Sequence, residues 1–534
     1  MRKKSASGVL ALREAYLLAG KIVWLMAESK NAHTRWLAIR YEPYAIGPFS
    51  ADERRTTDGG DDLFAHPAGH STSSMLRDLI VVSGAQGIFP ESSSAGEFSR
   101  MTTMTYSATV QFLYGLQQHG IKLGLETVRT LLTRMGEPHR CYPVLHIGGT
   151  NGKGSTAAMT AAILQAAGYR VGLYTSPHLI DFRERIRING AMIPEDTVSK
   201  LVETLRSAAA PDLAPTFFEF TTALAFQYFA DCQVDVAVLE VGLGGRFDAT
   251  NVVEPLACAI TTIGLDHEAY LGSTLEAIAF EKAGIVKPAV PVVLGRIESS
   301  TRRVIEQRAS EVAAPLYCLG REFQCDGPST ADCRYVGRSS HYDHLSCPLQ
   351  GRFQLDNIAC SLALIELARE RGLGVSEPAV RSGLQHVAWE GRLEIVAESP
   401  TIMVDGAHNP AAAAVLAGYL ADWRRGRPGA RISLIVGMMR DKHPRAFLAP
   451  LLSQADTLIL TQADLPRAST GSELRTLLQD CAPTAQVAAT PADALTAAKR
   501  SAAPSDLICV TGSLMLVGEI KALLRGCSLS PVRG

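Results

Sequence analysis

His146-Ile147-Gly148-Gly149-Thr150-Asn151-Gly152-Lys153-Gly154-Ser155-Thr156 is a glycine-rich turn that closes on a lysine. An apolar run, Tyr142-Pro143-Val144-Leu145, leads into it, and an alanine-rich helical pattern, Ala157 to Ala167, leads out. Strand, glycine turn and helix in that order make a phosphate cradle. Glycines let backbone N–H groups approach an anion, the helix N-terminus adds partial positive charge, and Lys153 adds a full one. Gly154 stands where a hydroxyl residue normally follows the lysine. The plainer alternative is a strand-to-helix turn with no ligand. A lysine set among this many glycines points instead to a nucleoside triphosphate.

Outward from the turn, apolar strands alternate with helical patterns. Strands are expected at Val144–Ile147, Val171–Tyr174, Val234–Val241, Cys258–Ile263 and Val290–Leu294. Continuous apolar strands separated by helices indicate a doubly wound parallel sheet covered on both faces, an α/β fold. Cys318 to Leu349 breaks the rhythm with short, turn-rich segments and suggests a small antiparallel patch. A second alternation starts at Thr401: strands at Ile402–Val404, Ile432–Val436, Thr457–Thr461 and Leu507–Val510, and a helix from Pro410 to Trp423. This predicts a separate, smaller Rossmann-like α/β domain, with a boundary near Glu398-Ser399-Pro400. A cleft between two such domains is a natural place to bring two substrates together.

The 534 residues allow two or three domains. Hydrophobic residues at 47% and charged residues at 20% are ordinary for a globular protein, and a formal net charge of −1 gives no sign of a nucleic-acid or membrane-surface binder. Eleven cysteines without a CxxC pair read as reduced thiols of a cytoplasmic protein. Residues 1–100 differ from the rest. Val9 to Ala27 is apolar but interrupted by Arg13, Glu14 and Lys21, which fits an amphipathic helix better than a membrane span or signal core. Ser50 to Ser74 is polar, and Ser92-Ser93-Ser94-Ala95-Gly96 reads as linker. The arm carries no recognisable chemistry and is expected to be largely disordered. Met101 and Met104 precede the first well-patterned helix, Ser107 to Gln118, so an upstream start codon is one explanation of the arm.

Glu240 ends an apolar strand and opens Val241-Gly242-Leu243-Gly244-Gly245-Arg246-Phe247-Asp248-Ala249-Thr250-Asn251. A carboxylate at the carboxyl end of a buried parallel strand lies where open α/β sheets bind ligands, and Mg²⁺ beside phosphates needs hard oxygen ligands. Helix capping is the alternative. His267, after Ile263-Gly264-Leu265-Asp266, and Ser176, in Tyr174-Thr175-Ser176-Pro177-His178, end neighbouring strands and could face the same metal. Lys282, late in a helix, reads as a solvated cation. Asp405-Gly406-Ala407-His408-Asn409-Pro410 could be a turn and N-cap, or could contact nucleotide or nascent product. Cys318, Cys325, Cys333, His341, His344 and Cys347 fit no usual zinc spacing and read as scattered side chains.

Gly149-Thr150-Asn151-Gly152-Lys153-Gly154-Ser155, Thr175-Ser176-Pro177-His178-Leu179, Glu184-Arg185-Ile186-Arg187, Leu239-Glu240-Val241-Gly242-Leu243-Gly244-Gly245-Arg246 and Asp405-Gly406-Ala407-His408-Asn409-Pro410 together resemble the folylpolyglutamate synthase and dihydrofolate synthase family of the Mur ligase superfamily. The resemblance runs from about Thr105 to Leu524. It implies an ATP-binding Mur ligase-like domain over 101–398 and a glutamate ligase domain over 399–534. It also implies that Thr150, Asn151, Gly152, Lys153, Gly154, Ser155, Asn357, Arg392 and Asp405 bind ATP and that Ser176, Glu240 and His267 hold Mg²⁺. Lys153, Lys282 and His408 would be catalytic, with Lys282 matching a lysine that the family carbamylates. Gly120, Ile121, Lys122, Leu123, Phe218, Glu219, Phe220, Phe247, Asp248 and Ala249 match segments that contact the pterin substrate. Implied cofactors are ATP and Mg²⁺, with room for a monovalent cation such as K⁺. Implied partners are small molecules (pteroate or folate, L-glutamate, ATP), with no nucleic acid, no membrane and a monomeric chain. One departure is that Glu390 precedes Gly391-Arg392 where the family usually has proline, so the hinge is expected to be less stiff.

The resemblance implies carboxylate activation: phosphorylation by ATP, then attack by the amine of L-glutamate. Gly245 to Asn251 looks more like the bacterial bifunctional enzymes, so 7,8-dihydropteroate and folate (poly)glutamates are both expected acceptors. Polyglutamylation alone is the alternative. A nucleotide-binding regulator would need only the phosphate loop, and the polar groups at three strand ends argue against it.

Overall fold

The computed structural model describes residues 22–27, 35–40, 104–120 and 122–530, in two units, Met1–Glu97 and Phe98–Gly534. In the first unit, Ile22–Ala27 pairs antiparallel with Arg35–Arg40, Trp24 opposite Ala38. This corrects the helix expected through Ala27 at its C-terminal end. Ile22-Val23-Trp24 is β-branched and aromatic, a composition that favours a pleated strand. The rest of the expected arm lies outside the described residues.

The second unit opens with a helix, Tyr106–Gly115, capped by the Thr105 side chain. Its main sheet has eight strands in the order Leu316–Cys318, Val292–Leu294, Ala257–Ile260, Val144–Gly148, Val236–Glu240, Val171–Tyr174, Ile186–Ile188, Ala191–Met192. The first six are parallel and the last two antiparallel. All five residues of Val144–Gly148 and of Val236–Glu240 are buried, as strands covered on both faces must be. Helices Lys153–Ala166 and Gln354–Glu370 pack on one face around Ile147, Met159, Leu164, Val238 and Ile358. Phe217–Asp231 packs on the other, burying Phe220, Phe226 and Phe229. Each such fully buried large apolar side chain contributes about 1.5–3 kcal/mol. The turn-rich stretch is a three-stranded antiparallel sheet, Gln324–Ser329, Asp332–Val336 and His341–Leu345, as its broken rhythm suggests.

The second sheet has six strands in the order Glu394–Glu398, Thr401–Val404, Leu507–Thr511, Ile432–Val436, Thr457–Leu460, Gln486–Val487. Glu394–Glu398 pairs antiparallel with Thr401–Val404. Ser399-Pro400 is therefore a turn inside this sheet, not a link between sheets. A serine–proline step with polar neighbours suits a hairpin tip as well as a linker, and the strand before it is too short to be read from sequence. The connection itself falls at Glu390-Gly391-Arg392. There Glu390 pairs with Lys521 at 2.9 Å and Arg525 at 2.8 Å on helix Leu514–Arg525, and buried Lys521 also meets Glu394 at 2.5 Å. These ion pairs tie the segment to that helix.

Candidate active site

Register places the site. Val144–Gly148 lies between Val236–Glu240 and Ala257–Ile260, with Ile147 opposite Glu240 and Gly148 opposite Ile260. Three strands thus end level with one another, and the glycine turn leaves from the middle one. Gly152 has φ +87, and an added Cβ would stand 2.4 Å from the Asn357 side chain, so only glycine fits. At Gly154 an added Cβ would stand 2.8 Å from the Trp389 ring. The indole fills the space a hydroxyl residue would take.

Lys153 Nζ donates to the carbonyls of Gly149 and Thr150, both at 3.1 Å. Lys282 Nζ donates to the same Gly149 carbonyl at 3.0 Å from a buried position. Two amines at one oxygen reverse the reading of Lys282 as a solvated cation. Burial, reinforced by the charge of Lys153, pulls its pKa down to about 7. Glu240 is buried and accepts the Ser176 N–H at 3.1 Å. Burial raises its pKa, while Lys153, that N–H and Arg392 oppose the rise. His267 is half-buried, and burial lowers its pKa to about 4, leaving a neutral ring able to act as a ligand.

The second sheet closes on this rim. Asp266 takes Lys442 at 2.5 Å, Asn409 Nδ2 at 3.1 Å and His408 Nε2 at 3.2 Å. Burial alone would raise its pKa, but the His408 bond and the charges of His408 and Lys442 hold it far below the usual carboxylate range. His408 Nδ1 faces the Gly406 carbonyl at 2.8 Å. Asn151 and Asn409 exchange amide bonds at 3.2 and 3.0 Å. Asp405 is buried and accepts the N–H groups of Leu393 and Ala407 at 3.0 and 2.9 Å, and burial raises its pKa. Asn409 also caps helix Pro410–Arg425, so the N-cap and the cleft-facing readings of this turn hold together.

Other expected positions divide. Thr150 Oγ1 is tied to Gly264, accepting its N–H at 3.0 Å. Ser155 and Asn357 are linked through Gln354, at 3.4 and 2.8 Å. Arg392 Nη1 donates to its neighbour Gly391 at 2.9 Å, close to the cleft. Glu219 is spent on a capping box with Thr216, its carboxylate taking the Thr216 N–H at 2.8 Å. Phe220 is a core residue edge-on to Phe112. Asp248 accepts the N–H groups of Gly242, Leu243 and Thr250 and holds its own loop in shape, and Ala249 is buried beside it. These four side chains also hold the local fold together. Phe218, half-buried under Gly242, and Phe247, stacked by Arg246 at 4.4 Å, remain accessible. Gly120, Lys122 and the exposed Leu123 lie on one loop, with Lys122 Nζ 2.8 Å from the Ala214 carbonyl; Ile121 lies outside the described residues.

Sequence reasoning missed Asp266 and Lys442. Both follow the carboxyl ends of parallel strands, which was the available signal, but their meeting depends on how the two sheets pack. Among the described residues no group of three or more His, Cys, Asp or Glu stands together as a metal site. The Ser176–Glu240–His267 set does not need one. A carboxylate and a hydroxyl fit Mg²⁺, which keeps water and phosphate oxygens in its other positions.

Residues 147–365 match the Mur ligase middle domain and residues 391–514 the Mur ligase glutamate ligase domain. The dihydrofolate synthase/folylpolyglutamate synthase of Bacillus subtilis is 35% identical over 431 residues, covering 79% of this chain and 99% of that protein. Escherichia coli FolC in complex with DHPP and ADP superposes with a TM-score of 0.72 at 34% identity, over 79% of this chain and 98% of that one. The bifunctional enzyme of Yersinia pestis complexed with AMPPNP and Mn gives a TM-score of 0.72 at 33% identity, with the same coverage.

Proposed function

This chain belongs to the dihydrofolate synthase/folylpolyglutamate synthase family of Mur ligases, and from that premise we propose how its own residues share the work. It is an ATP-dependent ligase that joins L-glutamate to folates, using ATP and a divalent metal ion. In our reading the backbone of Thr150 to Ser155 holds the phosphates, and Asn357, Arg392 and Asp405 hold the rest of the nucleotide. Ser176, Glu240 and neutral His267 would hold Mg²⁺, which when bound neutralises charge on the phosphates. The acceptor carboxylate attacks the γ-phosphorus, ADP leaves, and an acyl phosphate remains. The glutamate amine then attacks the acyl carbon, loses a proton and expels phosphate. Lys153 offsets the charge that develops on the transferring group. His408 and Asp266 bring the 391–530 region onto the rim and exclude water that would hydrolyse the intermediate. The levelled strand ends support this reading: Glu240 closes one strand, the turn that bears Lys153 leaves the next, and the charge of Lys153 acts on Glu240.

The acceptors are 7,8-dihydropteroate and folate (poly)glutamates. ADP release by the purified enzyme tests this. Glutamate-dependent release with dihydropteroate and with tetrahydrofolate is expected. Release with tetrahydrofolate alone would reduce the enzyme to a polyglutamylating one, and release indifferent to glutamate and both pteroates would leave a nucleotide-binding regulator. The reading also makes the enzyme a cytoplasmic monomer. All eleven cysteines are free, and no helix among the described residues is long and apolar enough to cross a membrane.

Lys282 is assigned to a carbamate. A buried amine with pKa about 7 is neutral above that pH and can attack CO₂, forming an N–C bond with loss of one proton. Below pH 7 it carries a charge and cannot react. Activity should therefore fall as pH drops through about 7, more steeply in CO₂-depleted buffer. Lys282→Ala should lose most activity and regain part of it with acetate or formate. A variant indifferent to added carboxylates would remove the assignment.

A further inference from the structure

Trp389 stands directly before the hinge and touches the phosphate turn, yet nothing in the mechanism above uses it. Its Nε1 is buried and has no hydrogen-bond partner among the described residues. A buried N–H without a partner costs about 1–3 kcal/mol, so its position calls for a reason. The geometry supplies one. Measured from a Cβ built on Gly154, the indole carbons stand at 2.8 and 3.1 Å and Nε1 at 3.1 Å. Residue 154 follows the lysine, where a phosphate loop ordinarily carries Ser or Thr with its hydroxyl turned to the metal and phosphates. The indole edge thus reaches from the hinge into the space that hydroxyl would fill. The substitute is not equivalent. A hydroxyl can donate a hydrogen bond and also ligate a cation, whereas an indole N–H only donates.

We propose that Trp389 is a nucleotide-binding residue whose Nε1–H donates to a phosphate oxygen of the bound nucleotide, taking over the hydrogen bond of the missing hydroxyl and leaving metal ligation to Ser176, Glu240 and His267. The proposal rests on the assignment of the Gly149–Ser155 turn to ATP. It adds a consequence. Trp389 is followed by Glu390, whose ion pairs with Lys521 and Arg525 reach the helix that packs on the second sheet. Phosphate binding and the angle of the hinge are therefore mechanically joined through two consecutive residues.

Trp389→Phe keeps the ring and removes the donor. In the full-length enzyme it should raise KM for ATP and Ki for ADP about tenfold. Ki for adenosine, KM for dihydropteroate and KM for glutamate should stay within about twofold, since a single donor to phosphate touches none of them. A merely structural ring would move adenosine and ADP together or neither, and either result overturns the proposal. Should Trp389→Phe not fold, the exchange Gly154→Ser with Trp389→Ala returns a hydroxyl to the vacated space. It should bind ATP at least about fivefold more tightly than Trp389→Ala alone, and no gain would also overturn the proposal. Lys153→Ala separates the two levels. If it is dead while Trp389→Phe is unaffected, only the Trp389 inference falls; if it turns ATP over normally, the nucleotide assignment beneath it falls.

Discussion

Lys153→Ala should slow ATP turnover by at least about three orders of magnitude, more than any other single change at the rim. Lys153 is the amine beside the two turn carbonyls that also acts on the charge state of its surroundings. It opposes the rise in the pKa of Glu240 and pushes the pKa of Lys282 down. Removing it withdraws the cation from the transferring phosphoryl group. It also favours a protonated Glu240 and a charged Lys282, the wrong states for a metal ligand and for carbamate formation. The three losses act together, so the effect should exceed that of one hydrogen-bond donor. Steady-state ADP release at saturating dihydropteroate and glutamate measures it. Turnover within tenfold of the parent would remove Lys153 from the phosphate site.

Glu240→Gln should lower kcat by about 10²–10³-fold and raise the Mg²⁺ concentration needed for half-maximal activity. The amide oxygen can still accept the Ser176 N–H that Glu240 takes at 3.1 Å, so the loop keeps its shape and the loss is that of a charge. Because the missing contribution is affinity for the cation, high Mg²⁺ should restore part of the rate. The cleanest check is an Mg²⁺ titration of both enzymes at fixed ATP. Equal half-saturation in the two would deny Glu240 its metal role, and an equal kcat would deny it any role in the step.

The ease with which the fold could be read follows from where each signal lives. A buried parallel strand must be largely apolar on both faces, and Val144–Ile147, Val171–Tyr174 and Ile432–Val436 are so but for His146 and Ser433. The phosphate turn is equally local, since its glycines and lysine are set within a single strand-to-helix junction. Glu394–Glu398 escapes a reading by hydrophobic pattern because four of its residues are half-buried and Glu398 is exposed at a sheet edge, and its Ser-Pro hairpin tip has the composition of a linker. In the site, Glu219 carries a local signal of its own: a capping box is written in sequence as Thr216 followed three residues later by Glu219.

By itself, then, the sequence determined the alternation of strands and helices, the phosphate turn and the carboxylate at the end of a buried strand. Each of these is fixed by short-range geometry. Only the tertiary structure decided the charge state of Lys282, because burial beside Lys153 is a property of packing and not of the helix that carries it. It alone joined Asp266 to Lys442, 176 residues away, and seated Trp389 against Gly154. Electrostatics and close contact fall off over a few ångströms of space whatever the distance along the chain, and that spatial neighbourhood exists only once both sheets have formed and closed on the rim.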